Sequence, residues 1–475
     1  MTKKVVIEPI TRIEGHGKVT IHLDDRGDVA DAKFHVVEFR GFEKFCEGRL
    51  FWEMPAITPR ICGICPVSHH LASAKATDAI LGVEIPPTAK KLRELLQMGQ
   101  YVQSHALHFF HLASPDLLLG MDADPAIRNV IGVIGAHPDL ATKGVLLRKF
   151  GQEIIGMLGG KKVHPNFAIP GGVNKALHPD ERDKIRKQID SVIADMQIAV
   201  NLIKNYLAQH ADIAASFANF PSAYMGLVDD QGNLKLYDGK LRLKDQKGTI
   251  LEDKVAPKDY LSIIEEKVED WSYMKFPYYK KWGYPKGIYR VGPLGRLNVV
   301  DGFTTPLANK EFKEYKKLGK NGIVEGSLYY HYARMIEGLY AAEKIKELME
   351  DSLICSTDIR ATSSKFNEEG VGVIEAPRGT LIHNYWVDAK GTIRKVNLIV
   401  STGHNNLAMN RSVESVAKQF IKGGKLTEGI LNRVEAAIRC YDPCLSCATH
   451  ALGQMSLIVQ LVSANSEVIE EARRG

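Results

Sequence analysis

The chain has 475 residues, 45% of them hydrophobic and 25% charged, with a net charge of +6. That is the composition of an ordinary globular protein, and no apolar run reaches the roughly 18–20 residues a membrane span needs. The basic excess is small for this length and is not gathered into any Lys/Arg block, so nucleic acid is not the expected partner.

In chain order, Met1-Thr2-Lys3-Lys4-Val5-Val6-Ile7-Glu8 carries no apolar h-region, so no signal peptide is expected. The Arg-Arg pair, Arg473-Arg474, stands at the wrong end for a twin-arginine signal. Residues 4–40 read as strands, with Val19–Leu23 and Ala32–Val37 flanking the turn Asp24-Asp25-Arg26-Gly27-Asp28. Apolar residues at helical spacing, with few breakers, predict helices over 66–82, 88–120, 124–158 and 180–218. Residues 224–252 alternate around two polar turns and predict a peripheral β excursion. Residues 255–307, rich in Pro, Gly and Tyr, read as long ordered loops. A helix is expected over 326–352, and a hairpin over 383–402 that turns at Asp388-Ala389-Lys390-Gly391. Short helices are expected over 411–421, 427–440 and 445–463. No internal repeat and no low-complexity linker interrupts the chain. The expected fold class is α+β, predominantly helical, with peripheral β-hairpins.

Seven cysteines are present: Cys46, Cys62, Cys65, Cys355, Cys440, Cys444 and Cys447. An odd count in a long chain without a signal argues against a disulfide framework and for a reducing cytoplasm. Four of them form two C-x-x-C pairs, Cys62/Cys65 with His69 beyond, and Cys444/Cys447 with His450 beyond. That spacing lets two thiolates face one metal centre. The pairs lie at opposite ends of the chain, whereas a zinc ribbon places its pairs about 15–20 residues apart. A shared site therefore forms only inside a folded core that joins both ends. Length alone predicts about three domains, but such a site demands one intertwined unit. Four convergent thiolates suit zinc, iron or nickel, so a structural zinc and a rubredoxin-like iron stand beside a catalytic centre. Arg60 and Asp442 beside the pairs favour the catalytic reading, because a closed structural site needs neither charge control nor a proton route.

Four blocks, in order, resemble the large subunit of nickel–iron hydrogenases. They are Glu8-Pro9-Ile10-Thr11-Arg12-Ile13-Glu14-Gly15-His16, Arg60-x-Cys62-Gly63-x-Cys65-x-x-x-His69, Glu375-Ala376-Pro377-Arg378-Gly379 and Asp442-Pro443-Cys444-x-x-Cys447-x-x-His450. The resemblance covers nearly the whole chain. It implies that residues 1–450 form one large-subunit unit in which Cys62, Cys65, Cys444 and Cys447 ligate nickel. Cys65 and Cys447 would also bridge to an iron carrying carbon monoxide and two cyanides. Arg378 matches the arginine above the open metal position, where a fixed guanidinium polarises or orients a ligand. Glu14 matches the proton-relay carboxylate, and Cys444, a terminal thiolate with a free lone pair, serves as first base. His69, Asp442 and Pro377 surround the cluster, and Thr402 falls where a hydroxyl bonds a cyanide. Glu43 and His450 stand where the family holds Mg2+ or a similar cation, which wants oxygen donors.

Two departures stand out. Many respiratory members carry an Asp where this chain has Ser104, followed by His105, so that carboxylate's chemistry is not carried over. The family's precursor is usually cut after the His of the last motif, so residues 451–475 read as an uncleaved propeptide, with a retained C-terminal helix as the alternative. Its removal calls for a maturation endopeptidase, and metal loading calls for insertion proteins.

Three finer stretches, Val37–Phe45, Trp271–Tyr278 and Arg290–Arg296, look like the cytoplasmic NAD-reducing branch. No G-x-G-x-x-G follows a strand, so the chain has no dinucleotide fold of its own, and no further cysteine cluster is available to hold an iron–sulfur carrier. The resemblance therefore implies two kinds of partner: an iron–sulfur small subunit, together with flavin-containing, NAD-binding diaphorase subunits. An electron-bifurcating or heterodisulfide-reductase-linked complex is the main rival. A non-catalytic relative, such as the quinone-site subunit of complex I, shares the fold but lacks the cysteine pairs found here.

Overall fold

In the computed structural model, residues 3–364, 366–449, 457–462 and 468–474 are described. Four long helices form the body: Pro87–Leu107, Pro138–Gly159, Pro179–Gln209 and Tyr329–Glu350. The first packs against the second and fourth, and the third packs against the fourth. The sequence supplies their starts. Proline occupies the first turn of the first three, where its missing N–H costs nothing. Asp180 and Glu181 add acidic charge at a helix N-terminus. Pro138 divides the helix expected over 124–158 into Val130–Ala136 and Pro138–Gly159. The helix expected over 88–120 is continuous only to Leu107; a π turn, His108–Ala113, leads into Ser114–Leu118. No helix of the described residues is long and apolar enough to cross a membrane.

The sheets are less peripheral than expected. Lys3–Ile7, Gly17–Leu23 and Val29–Val36 make an antiparallel sheet whose inner face, including Val19, Ile21 and Phe34, enters the core. Ala223–Val228 is buried throughout, because Tyr289–Arg290 pairs with it in parallel and helix Gly292–Val299 packs on it. Glu369–Ala376, Gly379–Val387 and Ile393–Ile399 form a second antiparallel sheet laid against helix Pro66–Leu81. Gly372 makes that close approach possible: a Cβ there would lie 2.0 Å from the Ala72 carbonyl oxygen.

Two further expectations are corrected. Residues 255–307 contain the fully buried helix Gly292–Val299 and the strands Ile264–Lys267, Phe276–Tyr279 and Tyr289–Arg290. The helix Pro306–Lys316 begins where those loops were expected to end. Where a helix was expected over 445–463, the described residues form a 3-10 turn, Leu445–Cys447, and a strand, Leu457–Val462, paired with Val468–Arg474. Ile458, Val459 and Val462 are β-branched and favour strand over helix.

Charged groups buried in the core join the two ends of the chain. Asp116 lies 2.5 Å from Arg12 Nη2 and 3.2 Å from Arg439 Nε, and accepts a hydrogen bond from Asn432 at 3.0 Å. Thr11 donates its N–H to Glu435 at 2.8 Å. The N-terminal segment is thereby clamped to helix Glu428–Arg439, which leads into the second cysteine pair. Burial pushes the Asp116 carboxyl up, but Arg439, Arg12 and Asn432 outweigh it and hold it below its usual range. Removing one partner of a buried pair costs roughly 3–5 kcal/mol. Asp116→Ala should lose about that much in denaturant unfolding, with m unchanged; a loss within experimental error would show that the clamp carries no stability. Because the folded carboxyl titrates below the unfolded one, this contribution is present above the unfolded value of about 3.9 and disappears as pH falls through the folded value.

Candidate metal centre

The first pair forms where a short 3-10 helix, Thr58–Ile61, ends and helix Pro66–Leu81 begins. Cys62 caps the one and Cys65 the other. The N–H groups of Ile64 and Cys65 point back at Cys62 Sγ, at 3.2 and 3.4 Å. The second pair forms beyond helix Glu428–Arg439, where Asp442 takes a left-handed conformation with φ of 53° and turns the chain inward.

The N-terminal segment then holds the second pair in place. Glu14 bridges to Cys444 as in a parallel ladder, and its carbonyl accepts the N–H of Leu445 at 3.0 Å. Gly15, at φ of 83°, permits the contact; a Cβ there would be 2.8 Å from Leu445 Cβ.

The four sulfurs meet. Cys62 Sγ is 3.3 Å from Cys444 Sγ, Cys65 Sγ is 3.5 Å from Cys447 Sγ, and Cys444 Sγ is 2.8 Å from Cys447 Sγ. All four lie within 4.8 Å of one another, all are buried, and no disulfide joins them. Among the described residues they form the one cluster of His, Cys, Asp and Glu able to hold a metal ion.

Their electrostatics call for a cation. Hydrogen bonds from Cys444, Cys447 and Cys65 hold Cys62 well below the ordinary thiol range, with Arg378 assisting. Burial and the neighbouring sulfurs push Cys444 and Cys447 well above it. Four thiolates cannot all ionise in so small a dry volume without metal charge, and soft sulfur donors suit nickel and iron.

Arg378 is 3% exposed. Its Nε donates to the Asp442 carbonyl at 2.6 Å and its Nη2 to Asp442 Oδ1 at 3.0 Å. Burial opposes its charge, but Asp442, Cys444, Cys65 and Cys62 favour it and keep it fully protonated. Nη1 of Arg378 and Oδ2 of Asp442 have no hydrogen-bond partner among the described residues. The buried guanidinium is thus left with unspent N–H donors beside a cluster whose Cys444, Cys65 and Cys62 act on its charge.

The loop before it is gripped from behind. Arg296 donates to the carbonyls of Ala376 at 2.9 Å and Pro377 at 3.1 Å, and pairs with Glu337 and Glu375 at 2.6–2.7 Å. Ser104 and His105 are fully buried, and His105 Nε2 lies 3.1 Å from Glu337. The carboxylate beside Arg378 is thus Asp442.

Other expected residues fall as follows. The Glu14 carboxylate accepts the Ser446 N–H at 3.2 Å and takes the Ser446 hydroxyl. Its flanking cations are engaged elsewhere, Arg12 with Asp116 and His16 with Glu38. Thr402 Oγ1 accepts the Cys444 N–H at 3.0 Å, leaving its own proton to donate. His69 lies one turn beyond Cys65 on the same helix, and burial lowers its imidazole to about 4. Arg60 is exposed, so Arg378 supplies the charge that the sequence placed there.

Glu43 is reached by the Leu398 N–H at 2.8 Å. It lines a small cavity with Glu266, Lys275 and Ala448, in which the Lys275 ammonium is 3.1 Å from Glu266. Burial raises the Glu43 carboxyl, with Lys275 opposing. One hard oxygen donor is therefore in place for a divalent cation, but an ammonium already neutralises part of that cavity. His450 lies outside the described residues.

Sequence reasoning missed His383 and Tyr385, which sit behind His69 with ring nitrogen and hydroxyl in hydrogen-bond reach. The alternation of the predicted hairpin 383–402 places the two on one face, and that was the available signal.

Comparison with known proteins gives one answer. The family described as nickel-dependent hydrogenase matches residues 40–127 and 222–450, and a family described as HoxL-like matches residues 4–39. The chain is 47% identical to the NAD-reducing hydrogenase HoxS subunit beta of Cupriavidus necator over the whole of both chains. It is 48% identical to a vhu subunit of the F420-non-reducing hydrogenase of Methanocaldococcus jannaschii, over 88% of this chain and all of the relative. A crystal structure of an NAD+-reducing nickel–iron hydrogenase in the H2-reduced state superposes with a TM-score of 0.92 at 49% identity, over 94% of this chain and 100% of that one.

Proposed function

The chain belongs to the nickel-dependent hydrogenase family, and we propose on that premise that it is the catalytic subunit of a cytoplasmic enzyme that cleaves H2 reversibly into protons and electrons. The observation that carries this reading is the meeting of Cys62, Cys65, Cys444 and Cys447, drawn from opposite ends of the chain, in one buried cluster. A nickel–iron pair bound there, with carbon monoxide and two cyanides on the iron, supplies the heterolytic splitting of H2. The chain's own residues do the rest. Arg378 holds a permanent charge and offers the free N–H donors of Nη1 to the centre. Cys444 Sγ takes the proton first, and Glu14, bridged to Cys444 through the backbone, passes it outward. Thr402, Asp442, Pro377 and His69 fix the surroundings of the cluster.

Electrons leave through a separate iron–sulfur small subunit, and NAD-binding diaphorase subunits receive them. The full-length likeness to HoxS subunit beta of an NAD-reducing hydrogenase supports that acceptor. A second reading keeps the H2 chemistry and changes the partner complex; the equally high identity to an F420-non-reducing hydrogenase favours it. Mass spectrometry of co-purifying subunits separates the two, because the first requires NAD-binding diaphorase chains and the second requires the chains of an electron-bifurcating or heterodisulfide-reductase-linked complex. Residues 451–475 are the segment removed on maturation, and Glu43 with His450 holds a Mg2+-type cation, with Lys275 tuning the charge beside it.

Processed protein should contain equimolar nickel and iron with a stoichiometric divalent cation such as magnesium. Its infrared spectrum should show bands of metal-bound CO and CN. Zinc alone with a silent spectrum would overturn the nickel–iron centre. Nickel and iron without a further divalent cation would overturn the role given to Glu43 and His450.

A further inference from the structure

The helix Gly292–Val299 touches the Arg378 loop at two points. At its start Gly292 has φ of 83°, and a Cβ there would lie 2.8 Å from the Arg378 carbonyl oxygen. One turn on, Arg296 reaches the two residues before Arg378. Its five N–H groups make five hydrogen bonds. Nε donates to Glu337 at 2.6 Å, Nη1 to Glu375 at 2.7 Å and the Ala376 carbonyl at 2.9 Å, and Nη2 to Glu337 at 2.7 Å and the Pro377 carbonyl at 3.1 Å. Arg296, Glu337 and Glu375 are fully buried. No donor is left over, so this guanidinium, unlike that of Arg378, has nothing to offer a ligand.

Stability does not account for so much buried charge. Taking each ion out of water costs several kcal/mol, and well-packed apolar side chains of similar volume often hold a core as well. What a saturated ion cluster supplies is direction. Glu337 comes from helix Tyr329–Glu350 and is held in turn by His105 at 3.1 Å, while Glu375 also accepts from the Thr380 hydroxyl at 2.8 Å. The clamp is therefore anchored on separate elements. Pro377 has no N–H, so carbonyls are the handles by which the backbone entering Arg378 can be held.

We propose that Arg296 is a positioning residue that acts through Arg378: by clamping the Ala376 and Pro377 carbonyls it fixes the backbone from which the Arg378 fork extends to Asp442. This rests on the nickel–iron reading of the neighbouring cluster and on the part given there to Arg378. Arg296 touches no reacting atom. A misplacement of about 1 Å that begins away from the chemistry can cost about 100-fold in rate, and a clamp on two consecutive carbonyls is the device that prevents it.

A double-mutant cycle on the assembled, metal-loaded enzyme tests this, with H2-dependent dye reduction normalised to nickel. Arg296→Lys keeps a charge but has three donors for the five acceptors. It should lower kcat about 10- to 100-fold, with nickel, iron and the CO and CN bands unchanged. Added to Arg378→Lys, the same change should cost less than about twofold more, because nothing is left to position; independent sites would multiply their losses. Glu337→Gln, nearly isosteric, withdraws the carboxylate that aligns Nε and Nη2, and should show the same pattern with a smaller single loss. It decides the matter should Arg296→Lys fail to fold. Wild-type turnover in the loaded single variants, multiplied losses in the double variants, or displaced bands would each overturn the proposal. Absence of bands from the wild-type protein would instead overturn the centre itself, and full turnover in Arg378→Lys alone would overturn the part given to Arg378.

Discussion

Arg378→Lys is expected to lower H2 turnover about 100- to 1,000-fold while nickel, iron and fold are retained. The guanidinium spends Nε and Nη2 on the Asp442 backbone and carboxylate, at 2.6 and 3.0 Å, and leaves Nη1 without a partner among the described residues, free for a ligand at the cluster on the proposed reading. That division needs a planar fork with several donors. A lysine ammonium is a point charge on a flexible stem; if it reaches Asp442 it leaves the sulfurs, and if it reaches the sulfurs it leaves Asp442 with its charge uncompensated. Losing one preorganised donor in a dry site costs roughly 2.7–4 kcal/mol of barrier, which is the fold-change given. The measurement is H2-dependent reduction of an artificial dye, normalised to nickel content. A wild-type rate would remove Arg378 from the reacting centre. A loss of metal would make its role structural.

The centre was legible because its chemistry is local in sequence. Each C-x-x-C fixes two sulfurs on one side of a turn, and an Arg after Ala-Pro or an Asp before Pro-Cys stays attached to its block. What joins the blocks was not legible. Nothing in Arg60 reveals that it faces solvent while Arg378, more than 300 positions on, is buried against Asp442 beside the second cysteine pair. Nothing in Glu43 reveals that Lys275 lies beside it. The His69–His383 contact spans 314 positions, a separation at which only the fold decides neighbours.

The same distinction explains the fold. Helices with one wet face, such as Pro179–Gln209 and Glu428–Arg439, declare themselves by period. Gly292–Val299 is buried on every side, so it has no period to read, and its Gly292-Pro293 start and Gly295 read as loop. Burial of a helix on all faces depends on the strands around it, which the local sequence does not record. The misread stretch at 457–462 failed for another reason: five apolar residues broken by Gln460 are too few to distinguish strand from helix by spacing, and only the β-branched content pointed the right way.

Glu14→Gln carries the second large expected effect, a fall in H2 turnover of about 100- to 10,000-fold, the range that a positioned proton acceptor contributes. Glutamine is nearly isosteric. Its amide oxygen can still accept the Ser446 N–H, and its NH2 can donate to the Ser446 hydroxyl, which needs only to rotate. The backbone bridge to Cys444 and the Leu445 bond to the Glu14 carbonyl do not involve the side chain and should persist. The one property removed is the capacity of the carboxylate to bind and release a proton. Metal content and the CO and CN bands should therefore match wild type while turnover collapses, and Glu14→Asp, which restores a carboxylate on a shorter stem, should recover part of the rate. Turnover at the wild-type level in Glu14→Gln would require protons to leave the cluster by another route and would remove Glu14 from the relay.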